Sequence, residues 1–433
     1  MKKKPLQARL LTLACGAAMT AGASQGHAAG FQLIEQSVSS MGTAYAGAAA
    51  LAEDATTIYF NPAGMTRLQG SNLSGGLHLV IPRAEFSDRG STHVLGGVGV
   101  TLGDDAGGDA GELKAAPNAF LTHQFNDEIY LGLGLNVPYG LATDYSRTWT
   151  GRYYAIRSEI LTLNINPSLA YKVNEQFSLG IGVNAMYLDA ELTNAIDFGS
   201  MDALGLFGLP PGALGLTPGA SDGFTKVAGD GWGWGYNLGL LYELPQTRFG
   251  VSFRSKIDFD VSGDAKLDAP HPGLAAFFAD TSAKSEVTLP WTLSLSMVHQ
   301  LNPEWALLAD YTRTGWGSLE ELRFTFGNGF PDGVTTLKWE DSNRFSVGAT
   351  YTPGSKWTYR AGLAFDESPI PNATYRTPRI PTGDRLWLAF GLGYQFSDNL
   401  SLDLGYAHLF IDDPAIDKDI TDPENTLRGG LRG

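Results

Sequence analysis

Cysteine is almost missing from this chain: the only one in 433 residues is Cys15. It lies in a stretch that reads as an export signal. Lys2, Lys3, Lys4 and Arg9 surround the start of an apolar run over 10–23, and Gly26-His27-Ala28 supplies the small residues that a signal peptidase needs. Residues 1–28 are therefore expected to be a signal cleaved after Ala28. Thr12 stands where a lipoprotein acylation site needs leucine. A mature chain without a thiol has no disulfide framework and no cysteine metal site. The histidines beyond the signal (His78, His93, His123, His271, His299 and His408) show no H-x-x-x-H spacing. No metal and no cofactor is expected.

Cations are also scarce. Lys and Arg number 30 against 45 Asp and Glu, a formal charge of −15 that becomes more negative once the signal is removed. Such a chain is a poor partner for nucleic acid, because phosphate is held by Lys and Arg. Long apolar runs are absent after the signal. None approaches the ~20 residues that a spanning helix requires.

Alternation with period two is abundant. In Ile129-Tyr-Leu-Gly-Leu-Gly-Leu-Asn-Val137 the residues Ile129, Leu131, Leu133, Leu135 and Val137 share one face and Gly132, Gly134 and Asn136 the other. The same pattern recurs in 177–184, 232–240, 249–253, 287–297, 386–394 and 400–406. Thirteen strands are predicted, beginning near 73, 113, 129, 157, 176, 231, 247, 285, 304, 336, 356, 385 and 400. Short turns such as 126–128, 174–175 and 302–303 alternate with long segments at 88–112, 139–156, 194–230, 263–284, 323–335, 368–384 and 413–426. All long connections at one end is the pattern of an all-β transmembrane antiparallel β-barrel. A ring this wide cannot be filled by side chains, so its apolar face must meet lipid. Trp291, Trp305, Trp339 and Trp357 suit interfacial girdles.

An even strand count is the rule for single-chain bacterial barrels. Residues 427–433 read as the opening of a fourteenth strand, so the barrel over 71–433 is expected to be C-terminally incomplete, its last strand missing. Residues 29–70 do not alternate; they are rich in small residues and carry the turn Asn61-Pro62-Ala63. They are expected to form a small helical or irregular hatch that plugs the lumen.

Ala29-Gly30-Phe31-Gln32-Leu33, Gly42-x-Ala44-Tyr45-x-Gly47 and Asn61-Pro62-Ala63 resemble the mature N-terminus of the FadL family of outer-membrane transporters for long-chain fatty acids and other hydrophobic compounds. Residues 136–143, 232–237, 361–371 and 381–387 are similar to further blocks of that family. The resemblance implies a fourteen-stranded barrel in the outer membrane of a Gram-negative bacterium, acting without ATP as a monomer. It implies a hatch carrying Asn61, Pro62, Ala63 and Phe31, and lateral exit at the third strand, where Gly132, Gly134 and Pro138 permit a kink. It also implies a capture groove between two long loops. These contain Leu204, Leu206, Phe207, Leu209, Leu214 and Leu216 in one and Leu274, Phe277 and Phe278 in the other, more apolar residues than loops in water usually hold.

Lumen parity puts Arg254, Lys256, Lys338, Arg344, Arg360 and Arg385 inside, with Asp258, Asp260, Asp310, Glu340 and Asp366. A fatty-acid carboxylate needs one unpaired cation beside an apolar slot. The family's strand-five cation is replaced by Tyr187-Leu188-Asp189-Ala190-Glu191, which leaves room for aromatic or alkane hydrocarbons instead. Gly219-Ala220-Ser221-Asp222-Gly223 matches G-x-S-x-G, but not in a strand-to-helix elbow, so a lipase-like barrel rests on Ser221 alone; an adhesin is the remaining alternative. Asp412, Asp413, Asp417, Asp419, Asp422 and Glu424 form an acidic outer stretch that divalent cations could bridge to lipopolysaccharide, alongside the surrounding membrane lipid.

Overall fold

The computed structural model describes residues 30–95, 99–275, 278–354, 356–418 and 426–432. The signal and its cleavage site, Phe277, Asp419, Asp422 and Glu424 lie outside the described residues. The strands are β1 (Ser71–Val80), β2 (Glu85–Asp88), β3 (Lys114–Gln124), β4 (Ile129–Asn136), β5 (Gly140–Asp144), β6 (Arg157–Lys172) and β7 (Phe177–Asp197). They continue as β8 (Asp222–Glu243), β9 (Thr247–Arg254), β10 (Ile257–Asp268), β11 (Thr281–Leu289), β12 (Thr292–Gln300), β13 (Trp305–Thr314) and β14 (Glu321–Phe326). The last are β15 (Gly333–Thr336), β16 (Ser342–Tyr351), β17 (Trp357–Asp366), β18 (Arg385–Ser397), β19 (Leu400–Ile411), β20 (Ala415–Asp417) and β21 (Arg428–Arg432).

The tight turns share one device. Asn126, Asn174 and Asn302 each accept, through Oδ1, the amides two and three residues ahead, at 2.8–3.0 Å. An Asn side chain standing in for a backbone acceptor closes the hairpin and sets its register. Antiparallel pairing then runs through β1, β3, β4 with β5, β6, β7, β8, β9 with β10, β11 with β12, β13 with β14, β16, β17, β18 and β19, thirteen wall positions in sequence order. Leu73, Leu131, Leu133, Leu135, Leu179, Ile181, Leu363 and Leu404 stand exposed on the outer face, whereas Asn118, Thr122, Asn164, Asn184 and Asn237 are buried on the inner one. No described helix is long and apolar enough to cross a membrane; the crossing is made by strands.

Two breaks alter the expected parity. One residue is added between β9 and β10: Arg254 pairs with Asn237, but Phe259 pairs with Gly233. Such a bulge turns every later side chain to the opposite face. Ile257, Phe259 and Val261 point inward, and Lys256, Asp258 and Asp260 outward, correcting their expected place in the lumen. Pro290 separates β11 from β12, so Leu289 is buried inside while Leu295 is exposed outside. The alternation over 287–297 is therefore not one face. The long connections are also partly stranded: β7 and β8 run on to Asp197 and Asp222, and β14 with β15 makes a hairpin within 321–336.

Arg428–Arg432 pairs with β2 on one side and β20 on the other, between the chain beyond β1 and the chain beyond β19. That is where a fourteenth strand would enter. Among the described residues no register joins β1 to β19. The helical turn Val38–Met41 lies against both: a Cβ on Gly76 would stand 3.2 Å from Val38 and one on Gly405 2.8 Å from the Val38 carbonyl.

Candidate functional site

Residues 30–70 form short helical turns packed on the inner wall. Asn61 is fully buried and caps the 3-10 helix Pro62–Arg67, accepting the Ala63 amide at 3.0 Å. Its Nδ2 donates to the Ala49 carbonyl at 2.6 Å and the wall carbonyl of Leu240 at 2.9 Å. Gly180 and Gly239 lie directly beneath, where a Cβ would collide with Ala63 and Asn61; only glycine allows this approach. Wall arginines hold the same segment by its carbonyls: Arg248 to Ala50 and Leu51, Arg254 to Tyr59, Arg344 to Ala44 and Arg385 to Gly30.

β4 ends at Asn136, and β5 pairs with β6 but not with β3, so β3 has no partner on that side beyond Ala119. Val137, Pro138 and Tyr139 span this break. Phe31–Leu33 lies along it: Leu33 donates its amide to the Pro138 carbonyl at 2.8 Å, and Gly140 donates to that of Phe31 at 3.0 Å. Gln36 adds Nε2 to the Val137 carbonyl at 2.8 Å. Gly132 and Gly134 face Ile58, Met65 and Phe120 rather than the break itself.

Above this lies an apolar cluster in which Phe31 meets Tyr139, Trp316 and Trp339 with ring centroids 5.1–6.1 Å apart. Met186, Leu188, Ile257, Phe259, Leu289 and Ile370 complete its walls. The inward residues of β10 and β11 reach it only because of the two parity breaks. Neither Tyr139 nor Trp316 stands among the sequence-predicted site residues; buried aromatics beside a broken strand are the signal that marks them.

The cations separate into kinds. Arg360 is paired, with Asp403 at 2.7 Å and Glu53 at 3.6 Å. Arg344 and Arg385 sit across from Asp366 in adjacent registers. Lys256 is exposed and paired with Asp258, and Lys338 and Glu340 are exposed, Lys338 over the Tyr375 ring. Arg254 is buried and forms no ion pair among the described residues; it donates to Asn184 and Tyr59 and stacks over the Tyr59 ring at 4.6 Å. Asp189 points outward and Glu191 pairs with Lys226.

At the mouth, Leu204, Leu206 and Leu209 are exposed and Phe207, Leu214 and Leu216 half-buried. Leu274 is buried. Phe278 contacts Phe198 and Phe207 of the facing loop, at 4.8 and 6.2 Å, and Phe330 of a third, at 5.5 Å. The two expected loops are brought together, and the β14–β15 hairpin joins them.

A ring with an oily exterior, a polar inner wall and an apolar cluster packed within its upper part has the build of an outer-membrane β-barrel. The chain belongs to the outer membrane protein transport protein family (OMPP1/FadL/TodX), whose family model matches residues 19–433. The long-chain fatty acid transport protein of Escherichia coli strain K12 is 32% identical over 406 residues, 89% of either chain. Outer membrane protein P1 of Haemophilus influenzae strain Rd is 32% identical over 413 residues, 90% of this chain and 88% of its own. The crystal structure of a Pseudomonas aeruginosa FadL homologue matches with a TM-score of 0.84 at 26% identity, over 93% of this chain and 97% of that one. The Ralstonia pickettii toluene transporter TbuX shares the fold, with a TM-score of 0.65 at 19% identity over 92% and 97%. The Escherichia coli and Ralstonia pickettii proteins are named as transporters, and this chain is an outer-membrane protein of the Gram-negative type.

Proposed function

We propose that the protein takes up long-chain fatty acids passively. Residues 29–70 act as hatch, 71–433 as barrel and 1–28 as cleaved signal. The ligand adheres to the loop groove at Leu204, Leu206 and Phe278, inserts into the apolar cluster around Phe31, and leaves sideways at the Pro138 break when the hatch withdraws. The protein works as a monomer amid membrane lipid and lipopolysaccharide and is not an enzyme: Ser221 Oγ accepts the Thr217 amide at 2.9 Å, and among the described residues no histidine is hydrogen-bonded to it.

Arg254 carries the reading. A buried cation without a counter-ion is costly unless something compensates it. Its neighbour Tyr139 belongs to the apolar cluster, so an alkyl chain inserted among those side chains would bring its carboxylate to the guanidinium. The aromatic walls also suit a neutral hydrocarbon, and esterification separates the two. Arg254→Gln should weaken oleate binding about 10- to 100-fold, the range for a hydrogen bond to a charged group, and leave methyl oleate and toluene unaffected. Equal affinity of the variant and the parent for oleate would assign the cluster to hydrocarbons.

A further inference from the structure

The outer face of the wall carries a hollow. Across β13, β16, β17 and β18 one row of outward side chains runs Leu307, Ala349, Ala361 and Phe390, each in register with the next. The row on the side of the tight turns runs Trp305, Tyr351, Tyr359 and Leu392. Two adjacent alanines among large neighbours leave a groove of about 600 Å³, floored by Ala349, Ala361 and the backbone of Gly391 and Gly405. One side of it is a wall of rings: Trp305 stacks on Tyr351 with centroids 4.5 Å apart, and Tyr351 on Tyr359 at 6.3 Å. On the lumen side the same backbone carries the hatch, because a Cβ on Gly391 would stand 2.8 Å from Gly42 Cα. At that point a single layer of backbone separates groove from hatch.

The turns set the depth of the groove. Trp357 opens β17 just after one of them and is exposed at the interfacial girdle, and Ala361 follows four residues later. Four residues are ~13 Å along a strand. At a barrel strand's tilt of ~40° that is ~10 Å of depth, within the periplasmic half of an apolar band ~25 Å tall. The groove therefore opens on the phospholipid leaflet of the outer membrane, not on lipopolysaccharide. Water does not suit it, since the lining is almost wholly apolar and a held water needs ~2–4 polar partners. Left empty, the lining atoms would have no contacts on one side. An acyl chain supplies them. Lys356, exposed in the turn beside Trp357 with Nζ on the Phe396 carbonyl at 3.2 Å, puts a cation at the depth of the lipid phosphates.

We infer that this groove is a seat for one acyl chain of a glycerophospholipid of the periplasmic leaflet, held in preference to the lipid around the rest of the barrel. The selection is one of shape. Lipid tails are as apolar as any side chain here, so no hydrophobic gain separates one patch of wall from another, and contact decides. Stacked rings keep the groove open because they brace one another instead of folding over the alanines. A seated chain also thickens the wall where it is one backbone layer deep. The seat is separate from the proposed ligand route, since none of its residues belongs to the apolar cluster or to the break at Pro138. It stands whichever molecule the barrel passes.

Native mass spectrometry of the full chain, released from detergent micelles doped with palmitoyl-oleoyl phosphatidylethanolamine, tests it. The parent should keep one lipid per chain. Ala361→Phe fills the groove from the lipid side without entering the lumen and should lower that retention at least about tenfold by taking the chain's contacts; Ala349→Phe should do the same. Leu169→Phe, on the exposed outer face of β6, should keep the lipid like the parent. Heat-modifiable migration checks that each variant is folded. In liposomes of the same lipid carrying a photoactivatable diazirine in its acyl chain, adducts should concentrate on Ala349, Tyr359 and Ala361 over the outward residues of β6 and β7, and that concentration should vanish in Ala361→Phe. Parental retention in Ala361→Phe, no retained lipid in the parent, or evenly spread adducts overturns the seat. A dimer of the full chain that Ala361→Phe dissociates would assign the groove to a second copy and overturn it as well.

Discussion

Replacing Asn61 by Leu keeps the volume of the side chain and removes its hydrogen-bonding capacity, which isolates what the Asn-Pro-Ala turn contributes. Three bonds are lost, to Ala49, Leu240 and Ala63, at about 0.5–1.5 kcal/mol net each. The Ala63 amide is left without its cap in a fully buried site, which adds about 1–3 kcal/mol. The hatch thus loses about 2.5–7.5 kcal/mol of its hold on the wall, whereas β8 and β7 keep their ladder. Since about 1.4 kcal/mol is a factor of ten, the released hatch should become roughly 10²–10⁵ times more populated. Exchange of the amides over 57–66 should quicken by that factor, and channel openings should appear in planar bilayers where the parent is silent. The barrel itself should still migrate as a folded, heat-modifiable band in electrophoresis. Unchanged protection over 57–66 in a silent channel would show that the Gly180 and Gly239 fit alone holds the turn, and the hydrogen-bond reasoning would be refuted.

Leu206→Asp, on an exposed loop side chain, should reduce oleate uptake at low concentration roughly 10- to 150-fold, the equivalent of one leucine's burial, with saturated uptake little changed; parental uptake at low concentration would move capture elsewhere. Ser221→Ala should leave both uptake and any ester hydrolysis as they were, and loss of a hydrolytic activity would revive the enzyme reading. Asp384, in the loop before β18, has its carboxyl pushed up from 3.8 to about 7 by burial and then by Asp412, Glu367 and Asp366. The folded form therefore keeps a proton that the unfolded form has lost above about pH 4, so this contribution to stability is full at low pH and disappears as pH rises to about 7. Thermal melts should show Asp384→Asn gaining on the parent at pH 8 and not at pH 4; a pH-independent difference would contradict the burial of this carboxyl.

Period-two alternation placed most wall strands within a few residues, because a strand with oil on one side and water on the other has little freedom in which side chains it uses. The turns were legible for the same local reason. What eluded the sequence was non-local. A single inserted residue at Ser255 reverses the face of Lys256, Asp258 and Asp260, and no pattern within β9 or β10 announces it. Parity places Arg344 and Arg385 in the lumen, but not the bonds by which they hold carbonyls of Ala44 and Gly30, residues 300 and 355 positions away. Asn136 and Asn184 were visible only as residues of the polar face; that Asn164 hydrogen-bonds to both depends on three strands lying side by side.

The parity breaks also locate the membrane. Below the bulge the outer face of the wall carries Val251 and Phe249, and on β8 it ends in the exposed rings of Tyr236, Trp234 and Trp232. Above it come Asp258, Asp260, Lys284 and Glu286, all exposed on that same outer face. Charges there would be expensive in the hydrocarbon, by about 2–4 kcal/mol for a cation at mid-depth, so the strands have left the oil by this level, and the aromatic belt marks its edge. Once outside, the strands no longer need grease facing outward, and the same reversal that exposes the charges turns Ile257, Phe259, Val261 and Leu289 inward. One added residue and one proline thus gather the apolar cluster inside the wall and end its lipid-facing part together. Arg254 lies just below that reversal. A ligand seated with its carboxylate on Arg254 would have its chain above the membrane surface and its nearest way out at the depth of the outer leaflet.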